Sequence, residues 1–278
     1  MNCAWDAFLS LLPQEIRLEV NKQGAAAIQE LRLRLGQPIE MVLNGQSAWL
    51  SRKAKAEDIS FVVNSASRYS PWSATTAAQG YITAAGGHRV GICGVCVMQN
   101  GVMTGVSKAT SICIRIAKDY PGIGNGCNLP GSVLILGPPG SGKTTLLRDI
   151  IRRRSDASCG GVAVVDERGE LFPVGADFYK GSRTDVLTGC DKVHGIETVL
   201  RTMGPSTIAV DEITAKADCD ALMHAAWCGV DLIATAHAAN TQDLLQRPIY
   251  RPLAESGLFQ TVLVLSRDKS WRQERMRL

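Results

Sequence analysis

No apolar run in the 278-residue chain approaches the ~20 residues that a helix needs to cross a bilayer. The first residues, Met-Asn-Cys-Ala-Trp-Asp-Ala, also lack the basic region and apolar core of a secretory signal peptide. Hydrophobic residues make up 45% of the chain, which is enough for the core of one large domain or two ordinary ones. We therefore expect a cytoplasmic protein with no transmembrane segment of its own.

Cysteines with metal-binding spacing are equally scarce. The chain has nine cysteines, an odd and scattered set in which Cys93 and Cys96 form the only C-x-x-C pair. No second pair and no nearby histidine completes the four ligands of a zinc site. The cysteines are therefore predicted to be small buried hydrophobic residues in a reducing compartment.

A strong excess of one charge is absent as well. Residues 1–125 hold 12 Lys and Arg against 8 Asp and Glu, and residues 126–278 hold 18 of each kind. An excess this small favours a solvated surface over a face that binds nucleic acid or acidic membrane.

Residues 1–121 have the pattern of an α+β domain with an antiparallel sheet. Helical patterns cover residues 5–12, 13–22 and 55–75, the last broken near Pro71. Strands are predicted at 28–35, 39–43, 88–98, 102–106 and 111–117, with hairpin turns at Asn44-Gly45 and Asn100-Gly101. Nothing in this part of the chain resembles a catalytic constellation.

A stretch dense in glycine and proline follows and predicts a hinge at residues 122–131. Beyond it, in residues 132–278, short apolar runs alternate with helical stretches. The runs cover 132–136, 161–165, 207–210, 231–234 and 261–265. This alternation is typical of a parallel sheet covered by helices on both faces.

The most informative motif opens this second domain. An apolar run leads into Gly-Pro-Pro-Gly-Ser-Gly-Lys-Thr-Thr, which fits the phosphate-binding pattern G-x-x-x-x-G-K-[ST]. Glycines allow backbone N–H groups to wrap a polyphosphate, and the following helix N-terminus favours the anion. We predict that ATP binds at Gly137, Pro138, Pro139, Gly140, Ser141, Gly142, Lys143, Thr144 and Thr145.

Acids at the end of a later strand fit the metal side of the same site. Lys143 is expected to reach the β- and γ-phosphates, and the Thr144 hydroxyl to bind Mg²⁺. Asp211 fits the carboxylate that holds Mg²⁺ directly or through water. Glu212 is placed to activate the attacking water as general base.

Two further strand ends carry candidate catalytic residues. The strand before Asp166-Glu-Arg-Gly-Glu170 ends in acids that could position water, and the pattern does not choose between Glu167 and Glu170. His237 ends another strand, where an imidazole could hydrogen-bond the γ-phosphate or respond to its loss. Because ligands bind beyond the carboxyl ends of parallel strands, these residues are expected to converge on one nucleotide.

On these residues the chain resembles the secretion ATPases that power type II, type IV and pilus machines. Within that group it is most similar to the stage III AA sporulation family of endospore-forming bacteria. The similarity covers nearly the whole chain. Besides the phosphate loop it rests on residues 31–38, 86–91, 166–170, 183–187, 210–213 and 235–237.

The resemblance implies a RecA-like P-loop NTPase domain preceded by a smaller α+β domain, assembled into a ring that is expected to be a hexamer. It implies ATP between subunits, an acidic box at Asp166–Glu170 and a histidine box at His237. The expected partners are membrane-embedded sporulation channel proteins, with the ATPase bound peripherally on the mother-cell side.

The chain departs from this family in one respect. Relatives usually carry Gly-Arg or Arg soon after the second acidic pair, where this chain has Thr214-Ala-Lys-Ala217 and Lys216 could substitute as a cation. Lysine lacks the bidentate fork of arginine. The arginine that a neighbouring subunit would supply therefore stays unassigned among Arg115, Arg183 and Arg201.

Two alternatives to a motor ATPase stay open. A RecA-like ATPase stimulated by single-stranded nucleic acid would use the basic N-terminal half, although no aromatic stacking platform is evident there. A scaffold that uses nucleotide only for assembly conflicts with the complete set of acids.

Overall fold

The computed structural model describes residues 1–68, 80–127, 129–157 and 160–276. The chain forms two compact units. The first comprises Met1–Asp119 and Pro173–Phe178, and the second comprises Tyr120–Phe172 and Tyr179–Leu278. Residues 122–131, predicted as a hinge, lie in the second unit, where the Asp149 carboxylate accepts hydrogen bonds from the N–H groups of Gly122 and Gly124. Their role as a hinge remains a prediction.

The first unit is an antiparallel sheet with short helices. Its helices are α1 (Trp5–Ser10), α2 (Gln14–Asn21), α3 (Gly24–Ala27) and α4 (Ala56–Arg68). Its strands are β1 (Ile28–Arg34), β2 (Pro38–Leu43), β3 (Gln46–Lys53), β4 (Tyr81–Thr83), β5 (Arg89–Gln99) and β6 (Val102–Arg115), in the order β3-β2-β1-β6-β5-β4. The alternating apolar residues of β1 face a core that includes Phe8, Ile16, Leu31 and Leu33.

The two predicted hairpin turns are present. Asn44-Gly45 and Asn100-Gly101 both have positive φ angles, and each joins antiparallel strands through a two-residue loop. Such turns match the twist of the flanking strands.

Three predictions for this unit need comment. The strands predicted at 102–106 and 111–117 are one strand, β6, whose pairing with β5 continues through three register shifts. The prediction of a break was wrong because bulges absorb the polar interval without ending the strand. The helix predicted over 55–75 is α4, and residues 69–75 lie outside the described part. The short strand β4 was not predicted.

The second unit is built on a mostly parallel sheet. Its strands are β7 (Val133–Leu136), β8 (Val162–Asp166), β9 (Thr184–Thr188), β10 (Thr207–Ile213), β11 (Asp231–Ala236), β12 (Thr261–Leu265) and β13 (Trp271–Glu274). Their order is β13-β12-β7-β11-β10-β8-β9, and only β13 runs antiparallel to its neighbour. The helices are α5 (Lys143–Ala157), α6 (Lys192–Met203), α7 (Lys216–Trp227), α8 (Thr241–Gln246) and α9 (Arg251–Glu255).

The five apolar runs predicted as strands are all strands of this sheet. Four of them, β7, β8, β11 and β12, are buried along nearly their whole length because helices cover both faces. The strands β9 and β13 were missed. They lie at the sheet edges and are mostly half-buried or exposed, so they lack a continuous apolar run.

Cysteines follow the prediction only in part. Cys127 and Cys219 are buried, whereas Cys93, Cys96 and Cys228 are exposed, so the prediction of burial was wrong for these three. Cys93 and Cys96 lie on the outer part of β5, where both faces are largely uncovered. Within the described ranges, no helix combines the length and the apolar character that a membrane span requires.

Candidate nucleotide-binding site

The predicted phosphate-binding loop connects β7 to α5. Gly140 and Gly142 have φ angles of +76° and +97°, the left-handed region that favours glycine, and nothing lies within 4 Å of where a Cβ would stand. At Gly137 a Cβ would lie 2.7 Å from Ser141 Oγ and 2.9 Å from the Leu265 carbonyl oxygen. The loop therefore requires glycine for two different reasons. At Gly137 a Cβ would be too close to its neighbours, whereas at Gly140 and Gly142 the backbone conformation itself favours glycine.

Lys143 lies inside this loop at the first position of α5. Its ammonium group donates to the carbonyl oxygens of Gly137 at 2.9 Å and Pro138 at 3.0 Å, and it contacts His237 Nδ1 at 3.1 Å. Burial lowers the pKa of Lys143, and the nearby Asp211 and Glu212 carboxylates partly oppose this. In the described contacts, the hydrogen-bond partners of this ammonium group are two carbonyl oxygens and an imidazole, so a bound anion would add a charged partner.

The residues present fit a bound polyphosphate and Mg²⁺. Ser141 Oγ is buried and has no hydrogen-bond partner in the part of the chain that the structure describes, so a polar group is left unsatisfied in the loop itself. Thr144 Oγ1 donates to Asp211 Oδ2 at 2.8 Å, which brings together two oxygen donors of the kind that Mg²⁺ prefers. The two predicted metal ligands, Thr144 and Asp211, are therefore in contact although they are 67 residues apart in sequence.

A bulge in β10 presents Asp211 and Glu212 together. The pairing of β10 with β11 shifts between Val210 and Ile213, where three steps along β10 match two along β11. Glu212 has a φ of +55°, a conformation that costs free energy in a residue with a Cβ. In a regular strand, neighbouring side chains point to opposite faces. The bulge removes that alternation, so both acids contact residues of the same site.

Glu212 and His237 form the second part of the site. His237 Nε2 lies 3.2 Å from Glu212 Oε1, and Arg168 Nη1 donates to Glu212 Oε2 at 2.8 Å. A continuous chain of polar contacts therefore runs from Lys143 through His237 and Glu212 to Arg168. Neither the contact between His237 and Lys143 nor the one between Arg168 and Glu212 is evident from sequence spacing.

The acidic segment 166–170 has a different arrangement. The Asp166 carboxylate is buried and accepts hydrogen bonds from the N–H groups of Glu170, Leu171 and Phe172. Burial raises the pKa of Asp166, and the three backbone donors oppose that shift. Asp166 therefore shapes the turn after β8.

The two candidate acids of this segment have different surroundings. Glu167 pairs with the buried Lys192 of α6, which also lies 3.8 Å from Asp218. The backbone carbonyl of Glu170 accepts from Arg148 Nη2. Neither Glu167 nor Glu170 joins the hydrogen-bonded chain between Lys143 and Arg168 in the described contacts, so a catalytic role for either remains a prediction.

The described contacts of the three candidate arginines involve other residues. Arg115 is at the end of β6 and lies 3.5 Å from Glu30. The backbone N–H of Arg183 donates to Ser155 Oγ, and Arg201 pairs with Glu197 one turn earlier in α6. Their contacts do not select one of them.

Thr235 is a contact residue to which sequence analysis assigned no role. It is fully buried in β11, and its hydroxyl contacts both Asp211 and Glu212. Its signal in the sequence is slight: a threonine stands in a buried strand whose other inner positions are apolar.

Comparison with solved structures finds the same fold in two proteins described as an ATPase and a pilus retraction motor. The chain is similar to the ATPase DotB of Legionella pneumophila, with a TM-score of 0.62, 19% identity, and coverage of 95% of this chain and 80% of that one. It is also similar to the pilus retraction motor PilT with bound ADP, with a TM-score of 0.63, 15% identity, and coverage of 95% and 83%. The predicted fold class is confirmed: a P-loop NTPase fold, mixed α/β with a mostly parallel sheet.

Sequence comparison then defines the family. The profile described as "Sporulation stage III, protein AA" matches residues 6–274. Stage III sporulation protein AA of Bacillus subtilis (strain 168) is 36% identical over 276 residues, covering 93% of this chain and 90% of that protein. The chain belongs to the sporulation stage III protein AA family.

Proposed function

We propose that this protein is a Mg²⁺-dependent ATPase that acts as the motor of a secretion-type sporulation complex. The observation that carries the proposal is the 2.8 Å hydrogen bond between Thr144 and Asp211. It brings the end of the phosphate-binding loop and the acids of β10 to one place, as in-line attack on a bound triphosphate requires.

Each side chain then has a defined task. The loop N–H groups and Lys143 bind the phosphates, while Thr144 and Asp211 are the residues that would hold Mg²⁺. Bound Mg²⁺ would supply positive charge that offsets the negative charge of the phosphates. Glu212 orients and deprotonates the attacking water. His237 responds when a γ-phosphate arrives or departs, a role supported by its contacts with both Lys143 and Glu212.

Membership of the family supports the cellular part of the proposal. We propose a ring, of six subunits on the family pattern, that docks on membrane-embedded sporulation channel proteins from the mother-cell side. ATP hydrolysis would be coupled to motion between the two units. A neighbouring subunit would complete the site with an arginine that stabilises the transition state.

Two variants test the enzymatic part. Lys143→Ala is expected to abolish ATP binding, because the loop loses its only described ammonium group. Glu212→Gln is expected to bind ATP as tightly as the wild type but to lower kcat at least 100-fold, because the amide cannot accept the proton from water. A Glu212→Gln protein that hydrolyses ATP at the wild-type rate would contradict the assignment of the base.

The assembly needs its own measurement, because a site completed by a neighbour is silent in monomers. Light scattering with and without ATP and Mg²⁺, run alongside phosphate release, is expected to show a ring-sized species when hydrolysis is active. A wild-type protein that stays monomeric and hydrolyses ATP would overturn the ring but keep the ATPase. Tight, steeply salt-dependent binding of single-stranded DNA or RNA would instead favour the nucleic-acid-stimulated alternative.

A further inference from the structure

The hydroxyl group of Thr235 is shared between the two acids of β10. Its Oγ1 donates to Asp211 Oδ1 at 2.6 Å and accepts a hydrogen bond from the Glu212 backbone N–H at 2.8 Å. Thr235 has no exposed surface, so water does not compete for these bonds. A hydroxyl has one proton to donate, and here that proton is committed to Asp211.

The position of Thr235 coincides with the bulge. Its neighbours Ala234 and Ala236 pair with Val210 and Ile213, so Thr235 alone stands opposite both Asp211 and Glu212. A bulge leaves one strand residue without its ladder hydrogen bond. The Thr235 hydroxyl supplies an acceptor for the N–H of Glu212, which would otherwise be a costly unpaired donor beside a buried strand.

The two carboxylate oxygens of Asp211 have different hydrogen-bond partners. Oδ1 faces Thr235 and Oδ2 faces Thr144. A carboxylate fixed through one oxygen cannot rotate freely, so its second oxygen stays directed towards the end of the phosphate-binding loop. Residues that orient metal ligands in this way commonly change metal affinity or activity 10- to 100-fold when they are replaced.

We propose that Thr235 is the positioning residue of this site. Its hydroxyl orients Asp211 for the metal and holds the bulge that places Glu212 for water activation. The inference rests on the proposed ATPase function and deepens it, since it names how one side chain couples metal binding to the placement of the base.

Thr235→Val tests the inference, because it removes the hydroxyl and nearly preserves the shape of the side chain. ATP affinity is measured with Mg²⁺ and in excess EDTA, and kcat is measured separately. We expect the gain in ATP affinity that Mg²⁺ provides to fall about 10-fold or more, while affinity in EDTA changes less than about 2-fold. The EDTA value is expected to hold because Lys143 and the loop are intact. We expect kcat to fall as well, since Glu212 loses its support.

Thr207→Val is the matched control. Thr207 is also a buried threonine of the parallel sheet, at the start of β10 and four residues before Asp211. The same substitution there is expected to leave the metal-dependent affinity and kcat unchanged. Thr235→Ser keeps the hydroxyl and is expected to restore most of both quantities.

Thr235→Ala and Thr235→Ser form a second pair in case the valine variant does not fold. Both lose the γ-methyl group, and only serine keeps the hydroxyl, so their difference isolates the hydrogen bonds. Wild-type metal dependence and kcat in Thr235→Val, or equal behaviour of the alanine and serine variants, would overturn the inference and leave the ATPase function intact. A wild-type protein that neither binds nor hydrolyses ATP would overturn both.

Discussion

The ammonium group of Lys143 contacts Nδ1 of His237 at 3.1 Å. An ammonium group can only donate hydrogen bonds, so Nδ1 accepts, and the ring proton must be on Nε2. That proton then points at Glu212 Oε1, 3.2 Å away, which as a carboxylate can only accept. The chain of contacts is consistent with a single tautomer of a neutral imidazole.

This geometry predicts the tautomer of His237. In the nucleotide-free protein at neutral pH, we expect ¹⁵N NMR to show a neutral ring protonated at Nε2. Lys143→Ala removes the donor to Nδ1 and is expected to shift the Nδ1 resonance, while Nε2 stays protonated because the Glu212 carboxylate still accepts from it. An Nδ1-protonated ring or an imidazolium ion in the wild type would contradict the arrangement, because either would place a proton on Nδ1 against the lysine.

The left-handed conformation of Glu212 predicts that glycine gives a more stable protein than alanine at this position, the reverse of the usual order of stability. Both Glu212→Ala and Glu212→Gly remove the carboxylate, but only glycine adopts a φ of +55° without strain. We expect the free energy of unfolding, measured by chemical denaturation, to be about 1 kcal/mol higher for the glycine variant than for the alanine variant.

Asp185 provides the control for that comparison. It is an exposed residue of β9, and its φ is not among the positive values. There we expect the ordinary order, with glycine about 0.5–1 kcal/mol less stable than alanine. If alanine is also the more stable residue at position 212, the bulge does not have the conformation described.

His88 makes the stability of the first unit depend on pH. Its ring is fully buried, with Nδ1 accepting from the Ala117 N–H at 3.1 Å and Nε2 contacting the Ala4 carbonyl oxygen at 2.9 Å. Burial lowers the pKa of His88 below its ordinary value of 6.5, and the hydrogen bond to Ala4 opposes this shift. Below pH 6.5 the unfolded chain therefore binds a proton that the folded chain excludes.

The sign of the effect follows from that difference. The contribution of His88 to stability is fully present above pH 6.5 and is lost as the pH drops below it, by at most about 1.4 kcal/mol per pH unit. His88→Asn is expected to be less stable at pH 7.5 but to show a smaller loss between pH 7 and pH 5.5. His224→Gln, at an exposed position on α7, should keep the wild-type slope. An unchanged slope in His88→Asn would show that other groups cause the acid sensitivity.

The parts of this protein that depend on local chemistry could be predicted from the sequence. The phosphate-binding loop from Gly137 to Thr145 could be predicted from the spacing of its glycines and one lysine. The buried strands could be predicted from continuous apolar runs. The two Asn-Gly turns follow from the φ angles that hairpins need. Strands without a continuous apolar run, such as β9, escaped prediction because edge strands are partly exposed.

Within the site, the sequence identified residue types but not their partners. It placed Asp211, Glu212 and His237 at strand ends, because parallel strands direct their carboxyl ends to one edge of a sheet. It could not choose between Glu167 and Glu170, since both are acids in one short segment. Burial beside three backbone N–H groups distinguishes Asp166, and a salt bridge to Lys192 distinguishes Glu167.

The sequence by itself determined that a phosphate-binding loop precedes a helix in a parallel α/β sheet, because these features depend on neighbouring residues. Only the tertiary structure decided that Thr235 holds the two acids and that His237 links Lys143 to Glu212. Those contacts join strands that are distant in sequence, and they depend on a bulge whose extra residue leaves no mark in the hydrophobic pattern.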